Sequence, residues 1–232
     1  MIAITFALPA ESSDFVNLLQ KPDRSSRDGV IRGDLHGKAV ALLHTGVGEK
    51  VCRDRIGSFF QGERFQYLIR AGFAGALKRD LRIGDLVVAE NFSSPTLLQS
   101  PTLNLPDDRV FVGKLLTAPG MIDSAVERDR LAGKTGAIAV DMETKFIAET
   151  CAKHETPMLS LRAISDTPSE PFPAPPNVLF HLEKQKTDFV RLAAWLVMHP
   201  GAISRLSAFR QRIALARKNL TSALEGIVRA DL

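Results

Sequence analysis

The 232-residue chain has few of the residues and segments that mark several common classes of protein. Its two cysteines, Cys52 and Cys151, lie in separate helical patterns without metal-type spacing, which argues against a disulfide framework or a metal site. No uninterrupted apolar run approaches the length of a membrane span. The apolar start has no basic region before it and ends at Pro9, so we expect no secretory signal. A reducing cytoplasm fits these features best.

Excess positive charge is also absent from most of the chain. The formal net charge is +4, and residues 201–232 carry all of it, because six basic and two acidic residues lie there. The other 200 residues hold equal numbers of the two signs. Domains that bind nucleic acid usually carry a basic stripe or patch on the folded surface. The sequence therefore predicts no nucleic-acid partner.

Short apolar runs alternate with turns and helical patterns, and 45% of the residues are hydrophobic, which is enough for one large core. The pattern predicts an α/β fold with a central mixed β-sheet flanked by helices. We expect a catalytic domain over residues 1–200 and a basic, amphipathic helical tail over residues 201–232. The clearest strands are predicted at residues 2–8, 30–35, 38–44, 67–71, 86–90, 138–140 and 161–165.

Carboxylates follow three of these strands. Glu11 comes shortly after the first strand, Glu143 follows the strand at 138–140, and Asp166 follows the strand at 161–165. Open α/β sheets bind their ligands at the carboxyl ends of the strands, so we expect these side chains at that edge. A structural interpretation is equally open, in which Asp141 caps the next helix and Glu143 lies in its first turn.

An arginine and a glycine-containing turn are both expected near the same edge of the sheet, and both are typical of anion-binding sites. Arg70 lies within a buried strand, where a guanidinium needs a carboxylate or another anion as its partner. The turn containing Gly46 and Gly48 follows a strand and opens a helix, whose first amides are free to donate to an anion. A core ion pair explains Arg70 equally well, and tight turning alone explains the glycines.

Three segments have distinct compositions, and two of them lie near the end of the chain. Residues 167–176 contain five prolines, which excludes regular structure, and they begin directly after Asp166, so we expect a wall or lid of the site. Small residues over 72–77 predict a flexible turn after the strand at 67–71. In the tail, apolar residues between Leu206 and Ile227 form one stripe bordered by arginines. Such a helix either packs on protein or lies at a lipid interface.

Taken in order, these motifs resemble those of the purine nucleoside phosphorylase and methylthioadenosine/S-adenosylhomocysteine nucleosidase superfamily, over roughly residues 1–166. The most specific motifs are Val140-Asp141-Met142-Glu143 and Arg162-Ala163-Ile164-Ser165-Asp166. The supporting motifs are Ala7-Leu8-Pro9-Ala10-Glu11, Thr45-Gly46-Val47-Gly48 and Ala71-Gly72-Phe73-Ala74-Gly75-Ala76-Leu77.

The resemblance implies an enzyme that cleaves the N-glycosidic bond of a purine nucleoside, with adenine as the base. It implies that Glu143 binds the ribose hydroxyls and that Met142 packs at the sugar. It also implies that Asp166, helped by Ser165, holds the purine and protonates N7. Departure of the purine leaves an oxocarbenium-like sugar, so an acid at N7 and a carboxylate at the hydroxyls both lower the barrier. The base-stacking segment of the family aligns with Met121 and Ile122.

The nucleophile stays open, because the motifs combine features of both branches. Glu11 matches the residue with which nucleosidases activate water. Arg70 matches an arginine that phosphorylases use for phosphate, and Gly46 and Gly48 are placed to donate amides to the same anion. Phe73 stands where both branches tend to carry serine, so its bulk puts phosphate binding in doubt. Because water alone does not explain an arginine, we expect phosphorolysis, with a hydrolytic methylthioadenosine/S-adenosylhomocysteine nucleosidase as the alternative.

The tail and the proline-rich segment resemble the hopanoid-associated phosphorylase branch of the superfamily. This implies a hopanoid nucleoside as substrate and peripheral contact with the inner face of the membrane through residues 203–229. The resemblance implies a homo-oligomer, inorganic phosphate as cosubstrate, and neither a metal nor an organic cofactor. A non-catalytic nucleoside-binding protein that keeps the pocket is a further alternative, from a different functional class.

Overall fold

A computed structural model describes residues 1–24, 29–103, 105, 109–170, 174, 178, 195, 198–199 and 201–230. The strands are β1 Ile2–Phe6, β2 Gln20–Asp23, β3 Ile31–Leu35, β4 Lys38–His44, β5 Leu68–Ala76, β6 Leu86–Ala89, β7 Val110–Gly113, β8 Leu115–Thr117, β9 Ala139–Asp141 and β10 Met158–Asp166. The helices in the described residues are α1 Pro9–Val16, α2 Glu49–Phe59, α3 Pro95–Leu98, α4 Ala125–Thr135, α5 Thr144–Lys153 and α6 Ala202–Ala230, with a 3-10 turn at Glu90–Phe92.

The described strands form one mixed sheet in the order β2-β3-β4-β1-β5-β10-β6-β7, with β9 paired to β5 and β8 paired to β9. The four central strands β4, β1, β5 and β10 are parallel to one another. Their carboxyl ends therefore meet at one edge of the sheet, which is the edge where the sequence places the carboxylates. The predicted mixed α/β fold and the β3–β4 hairpin are both confirmed.

Helices cover both faces of the central strands, because alternate side chains of a strand point to opposite sides. On one face, Ile4 and Phe6 of β1 pack in a core with Phe15 of α1 and with the second half of α6. On the other face, Ala3 packs in a core with side chains of α2 and α5, among them Ile147. Burying a side chain as large as Ile or Phe stabilises the folded state by about 1.5–3 kcal/mol. The helices on both faces of the sheet therefore contribute to the stability of the fold.

The second half of α6 belongs to the core of the domain. Its fully buried side chains are Ala216, Leu220, Ala223, Leu224, Ile227 and Val228. In its first half, the predicted apolar stripe is only half-buried, and Arg205 and Arg210 are exposed. Two of the bordering arginines contact protein: Arg217 pairs with Asp14 of α1 at 2.9 Å, and Arg212 donates to the Glu170 carbonyl at 2.7 Å. None of the described helices has the length and hydropathy needed to cross a bilayer.

Two local predictions need correction or restriction. Residues 72–77, predicted as a flexible turn, continue strand β5 as far as Ala76, because the glycines there pair in register with the neighbouring strand β10. Of the predicted wall at residues 167–176, only 167–170 and 174 are described. Thr167 and Glu170 close a turn with backbone hydrogen bonds of 3.3 and 3.1 Å, directly after β10. The rest of that predicted wall lies outside the described residues.

Candidate active site

The three predicted carboxylates reach the same stretch of strand β5. Asp166 is the last residue of β10, the neighbour of β5. Glu11 accepts a hydrogen bond from the Phe73 amide at 3.2 Å, and Glu143 accepts one from the Arg70 guanidinium at 3.2 Å. All three side chains are buried. The prediction that Glu11 and Asp166 lie at the carboxyl ends of parallel strands is confirmed. Glu143 reaches the same region from β9, which runs antiparallel to β5.

The Glu143 carboxylate lies between a helix N-terminus and a buried arginine. One oxygen accepts from the Gly48 amide, the N-cap of α2, at 3.0 Å, and the other accepts from Arg70. Burial raises the pKa of Glu143 to about 7, while the charge of Arg70 opposes this rise and the charge of Asp141 adds to it. The protonation state of Glu143 therefore changes near neutral pH.

The two predicted anion-binding glycines differ in their hydrogen bonds. Gly46 and Gly48 both have positive φ, 77° and 91°, which explains why glycine suits these turn positions. The Gly46 amide donates to the Ala7 carbonyl at 3.0 Å and so ties the turn to the end of β1. The Gly48 amide donates to a carboxylate at the candidate site. Binding of phosphate by either amide stays a prediction.

Two fully buried arginines lie on one face of β5 and β10. Arg70 donates to Glu143 and to the Thr5 and Ala71 carbonyls. Arg162 pairs with Asp141, and burial, together with the charge of Arg70, lowers the pKa of Arg162 to about 10. Nε of Arg70 and both Nε and Nη1 of Arg162 have no acceptor among the described residues.

Two buried hydroxyls accompany these arginines on the same face. Thr5 of β1 and Ser160 of β10 pair in register with Arg70 from its two sides. Within the described part of the chain, neither hydroxyl oxygen has a hydrogen-bond partner. Buried polar groups are nearly always paired in native proteins. This face of the sheet is therefore built to receive a further polar group.

Glu11 approaches Arg162 across a glycine of β5. Its carboxylate accepts from the Ala7 and Leu8 amides at 2.8 and 3.1 Å, and these bonds fix it at the start of α1. A Cβ at Gly72 would lie 2.6 Å from Nη1 of Arg162 and 3.3 Å from Oε2 of Glu11. Only a glycine leaves this space open, so Gly72 allows an arginine and a carboxylate to face each other.

The Phe73 side chain does not occupy this space, which corrects an expectation from the sequence. Side chains alternate along β5, so Phe73 shares the opposite face with Ile69 and Ala71, where it packs against the core covered by α6. Its backbone amide alone reaches the site, at Glu11. The bulk of Phe73 therefore does not obstruct an anion beside Arg70.

Asp166 is held by two partners. Ser165 donates to Oδ1 at 2.7 Å, and Arg128 of α4 forms an ion pair with Oδ2. Arg128 also donates from Nε to the Ile122 carbonyl at 2.8 Å, which links the predicted base-stacking segment to Asp166. Ile122 is half-buried and Met121 is 36% exposed. Contact of these residues with a purine stays a prediction.

The turn into α5 carries the remaining predicted residues. Asp141 accepts from the Thr144 amide, the first of α5, at 3.0 Å and also pairs with Arg162. Its predicted place as the N-cap residue is wrong, because Glu143 is the N-cap of α5 and Asp141 lies two residues before it. Met142 is half-buried in this turn, and its packing at a sugar stays a prediction. A cleft of about 710 Å³ is lined in part by Ala7, Leu8, Pro9, His44, Gly46 and Arg55, and its described lining includes none of the three carboxylates.

Arg162 and Arg128 are site residues whose roles were not predicted from the sequence. Arg162 carried a usable signal, because a charged residue inside the apolar run 158–164 needs a buried partner, as Arg70 does. Arg128 carried no such signal, because it lies beside Glu127, Asp129 and Arg130 in a run of charges that is typical of a solvent-exposed helix. Only the tertiary structure shows that α4 turns this one side chain inward.

Comparisons with known proteins identify the family of the chain. A sequence model of the family described as the Phosphorylase superfamily matches residues 1–107 and 96–196. The chain belongs to this superfamily. Its relatives include a DeoD-type purine nucleoside phosphorylase of Bacillus subtilis, 26% identical over 155 residues. That alignment covers 58% of this chain and 66% of the phosphorylase, just under two thirds of its length.

Other members of the Phosphorylase superfamily are nucleosidases. A 5′-methylthioadenosine/S-adenosylhomocysteine nucleosidase of Staphylococcus epidermidis is 27% identical over 164 residues, which cover 58% of this chain and 71% of that protein. The solved structure of the corresponding nucleosidase from S. pneumoniae, with a transition-state inhibitor, superposes with a TM-score of 0.70 at 18% identity. The superposition covers 99% of this chain and 98% of that one, so the two proteins share their fold. The predicted family, whose named members cleave N-glycosyl bonds, is confirmed.

Proposed function

We propose that the protein cleaves the N-glycosidic bond of an adenine nucleoside at the carboxyl edge of its sheet. Membership of the superfamily and the convergence of three buried carboxylates support this proposal. Glu143 binds the ribose hydroxyls. Asp166 enters this step as the neutral acid and gives its proton to N7 while the electron pair of the C1′–N9 bond passes to the purine, which leaves as neutral adenine. The Asp166 carboxylate that remains is the partner of Arg128. The named relatives act on purine nucleosides, which supports this substrate class.

We infer that phosphate is the nucleophile, and the unpaired arginine donors carry this step. Arg70 and Arg162 present three buried guanidinium nitrogens that lack an acceptor in the described residues. An anion that bridges two guanidiniums satisfies such donors with charge-assisted hydrogen bonds. The N-terminus of α2 lies on the same face of the sheet as these arginines, and the helix dipole there favours a bound negative charge. A phosphate oxygen then bonds to C1′, giving a ribose 1-phosphate derivative, with no metal or organic cofactor required.

The test is adenine release from adenosine, measured with and without phosphate. We expect a rate that rises and saturates with phosphate concentration. Arg70→Lys keeps a cation beside Glu143 but loses the forked donors. Loss of a charge-assisted hydrogen bond of about 1.5–3 kcal/mol raises the KM for phosphate by about tenfold or more. A rate that is unchanged when phosphate is removed would contradict phosphorolysis.

Hydrolysis is the second candidate, and the position of Glu11 favours it. The Glu11 carboxylate faces Arg162 across Gly72, an arrangement suited to hold and deprotonate a water molecule. Hydrolysis predicts free sugar as the product and loss of adenine release in Glu11→Gln at every phosphate concentration. Binding of adenine without release from any nucleoside would instead identify a nucleoside-binding module.

We also propose that the nucleoside carries an apolar hopanoid group at its 5′ position and that α6 contacts the inner face of the membrane. The first half of α6 supports this contact, because Arg205 and Arg210 are exposed and Leu215 is 46% exposed. Basic and apolar side chains together bind anionic lipid surfaces. Removing the whole helix does not test this, because its second half belongs to the core.

Charge reversal within the first half of α6 gives a cleaner test of membrane contact. We expect Arg205→Glu/Arg210→Glu to reduce sedimentation of the protein with vesicles rich in phosphatidylglycerol. The matched control is Lys134→Glu/Lys153→Glu, which reverses two exposed cations elsewhere on the surface. Equal sedimentation of the wild type and both variants would remove the membrane proposal and leave the cleavage reaction untouched.

The resemblance further supports a cytoplasmic homo-oligomer. Sedimentation equilibrium measures the assembly directly, and we expect a mass that is a multiple of the 25.4 kDa chain. A single-chain mass at micromolar concentration would contradict the assembly but not the chemistry of the site.

A further inference from the structure

Arg128 reaches Asp166 from α4, a helix that none of the family motifs includes. The two side chains form an ion pair and are 1% and 3% exposed. The remaining arms of the guanidinium also have acceptors, because Nε donates to the Ile122 carbonyl at 2.8 Å and Nη1 donates to the Ala76 carbonyl at 3.0 Å. The guanidinium is therefore fixed in one orientation between β5, β10 and the loop before α4.

Gly75 of β5 leaves the space that this ion pair fills. A Cβ at position 75 would lie 2.8 Å from Oδ2 of Asp166 and 3.1 Å from Nη1 of Arg128. Both distances are shorter than ordinary carbon contacts, so a larger residue must push the carboxylate away from its place. The geometry of Asp166 thus depends on a glycine in one strand and an arginine in a helix.

We propose that Arg128 is a positioning residue, which fixes the Asp166 carboxyl for proton donation to N7 and ties it to the segment that holds Ile122. This inference rests on the proposed function. Ser165 holds Oδ1 and Arg128 holds Oδ2, so the carboxyl group cannot rotate away from the strand end. Proton transfer in the transition state needs such placement, since small displacements of a catalytic group cost large factors in rate.

The choice of leaving group separates this positioning role from a merely structural one. Adenine needs a proton at N7 to leave, whereas the N7-methylated form of the same nucleoside already carries the positive charge there. A variant that misplaces Asp166 therefore slows the first substrate far more than the second. A variant that only loosens the fold slows both alike.

In Arg128→Met, we expect kcat for the adenine nucleoside to fall by about 10²-fold, with a loss for the N7-methyl nucleoside at least about tenfold smaller. Arg128→Lys should recover part of the loss, because it restores a cation at Asp166. The matched control is Arg130→Met on the same helix, which breaks an exposed pair with Glu127. Its kcat should stay within about twofold of the wild type.

Gly75→Ala provides an independent variant, should Arg128→Met fail to fold. It displaces the Asp166 carboxylate without removing a charge, and it should show the same preference for the N7-methyl nucleoside. Equal losses on the two substrates, or no loss on either, in every folded variant would overturn the positioning role alone. Absence of adenine release by the wild type from both nucleosides would overturn the proposed function, and this inference with it.

Discussion

Glu143→Gln removes a buried charge while keeping the size and hydrogen-bonding shape of the side chain. In the wild type, Glu143 is 5% exposed and accepts from the Gly48 amide and from Arg70. A glutamine carbonyl can accept from only one of these two donors, and its amide nitrogen then faces the other. The variant leaves Arg70 without a negatively charged partner, but Arg70 stays charged over the whole pH range of interest. This loss therefore shifts the stability of the variant by a constant amount.

The pH dependence of the free energy of unfolding isolates the titration of Glu143. Its pKa rises from 4.5 in the unfolded chain to about 7 in the fold, chiefly because of burial. The folded state then holds the proton more tightly, so the stabilisation is complete below pH 4.5 and is lost as the pH rises through 7. Each pH unit between the two values corresponds to about 1.4 kcal/mol, which gives a loss of roughly 3 kcal/mol over the interval.

Urea unfolding at closely spaced pH values between 4.5 and 9 measures this difference. We expect the wild type to lose stability relative to Glu143→Gln by roughly 3 kcal/mol between pH 4.5 and 8, and the difference to be flat above that. Groups that titrate in both proteins and lie away from Glu143 cancel in the comparison. A difference that does not change with pH would refute the conclusion that Glu143 is desolvated at the site.

Three further predictions follow from the same structure. Gly72→Ala places a Cβ 2.6 Å from a buried arm of Arg162, and φ at this position is +147°, so we expect a loss of about 1–3 kcal/mol in urea unfolding; unchanged stability would contradict the close approach. Burial lowers the pKa of His44 from 6.5 to about 4, so the wild type should lose stability relative to His44→Gln as the pH falls from 6.5 to 4, and parallel curves would exclude this. Burial raises the thiol pKa values of Cys52 and Cys151 to about 12, so neither should react with a thiol reagent at pH 8 unless the chain is unfolded; rapid labelling of the native protein would disagree.

The sequence was sufficient to predict the features that depend on chain order. Parallel strands bring their carboxyl ends to one edge, so Glu11 and Asp166 were predictable as neighbours from their places after β1 and β10. Glu143 follows β9, which is antiparallel to β5, so this rule does not explain its place. The hydrogen bond from the first amide of α5 to Asp141 was predictable from its place just before Thr144, although Glu143 occupies the N-cap position.

Features that depend on packing between elements were not predictable in the same way. The glycines at 72 and 75 predicted a turn, although they lie in a strand. The sequence does not show that the side chains of Arg162 and Asp166 cover them. The sequence around Arg128 indicated an exposed side chain, whereas the packing of α4 brings this side chain to Asp166 at the end of β10. The first and second halves of α6 have similar apolar stripes, and only the position of the sheet decides which half is buried.

The most direct test of the central claim is to identify the sugar product by phosphorus NMR. The wild-type chain is incubated with adenosine and inorganic phosphate, and adenine release is followed in parallel. We predict that inorganic phosphate is consumed in equal amount to the adenine released, and that a new sugar 1-phosphate signal appears. Adenine release with no change in the phosphate signal would contradict phosphorolysis at the Arg70 and Arg162 face.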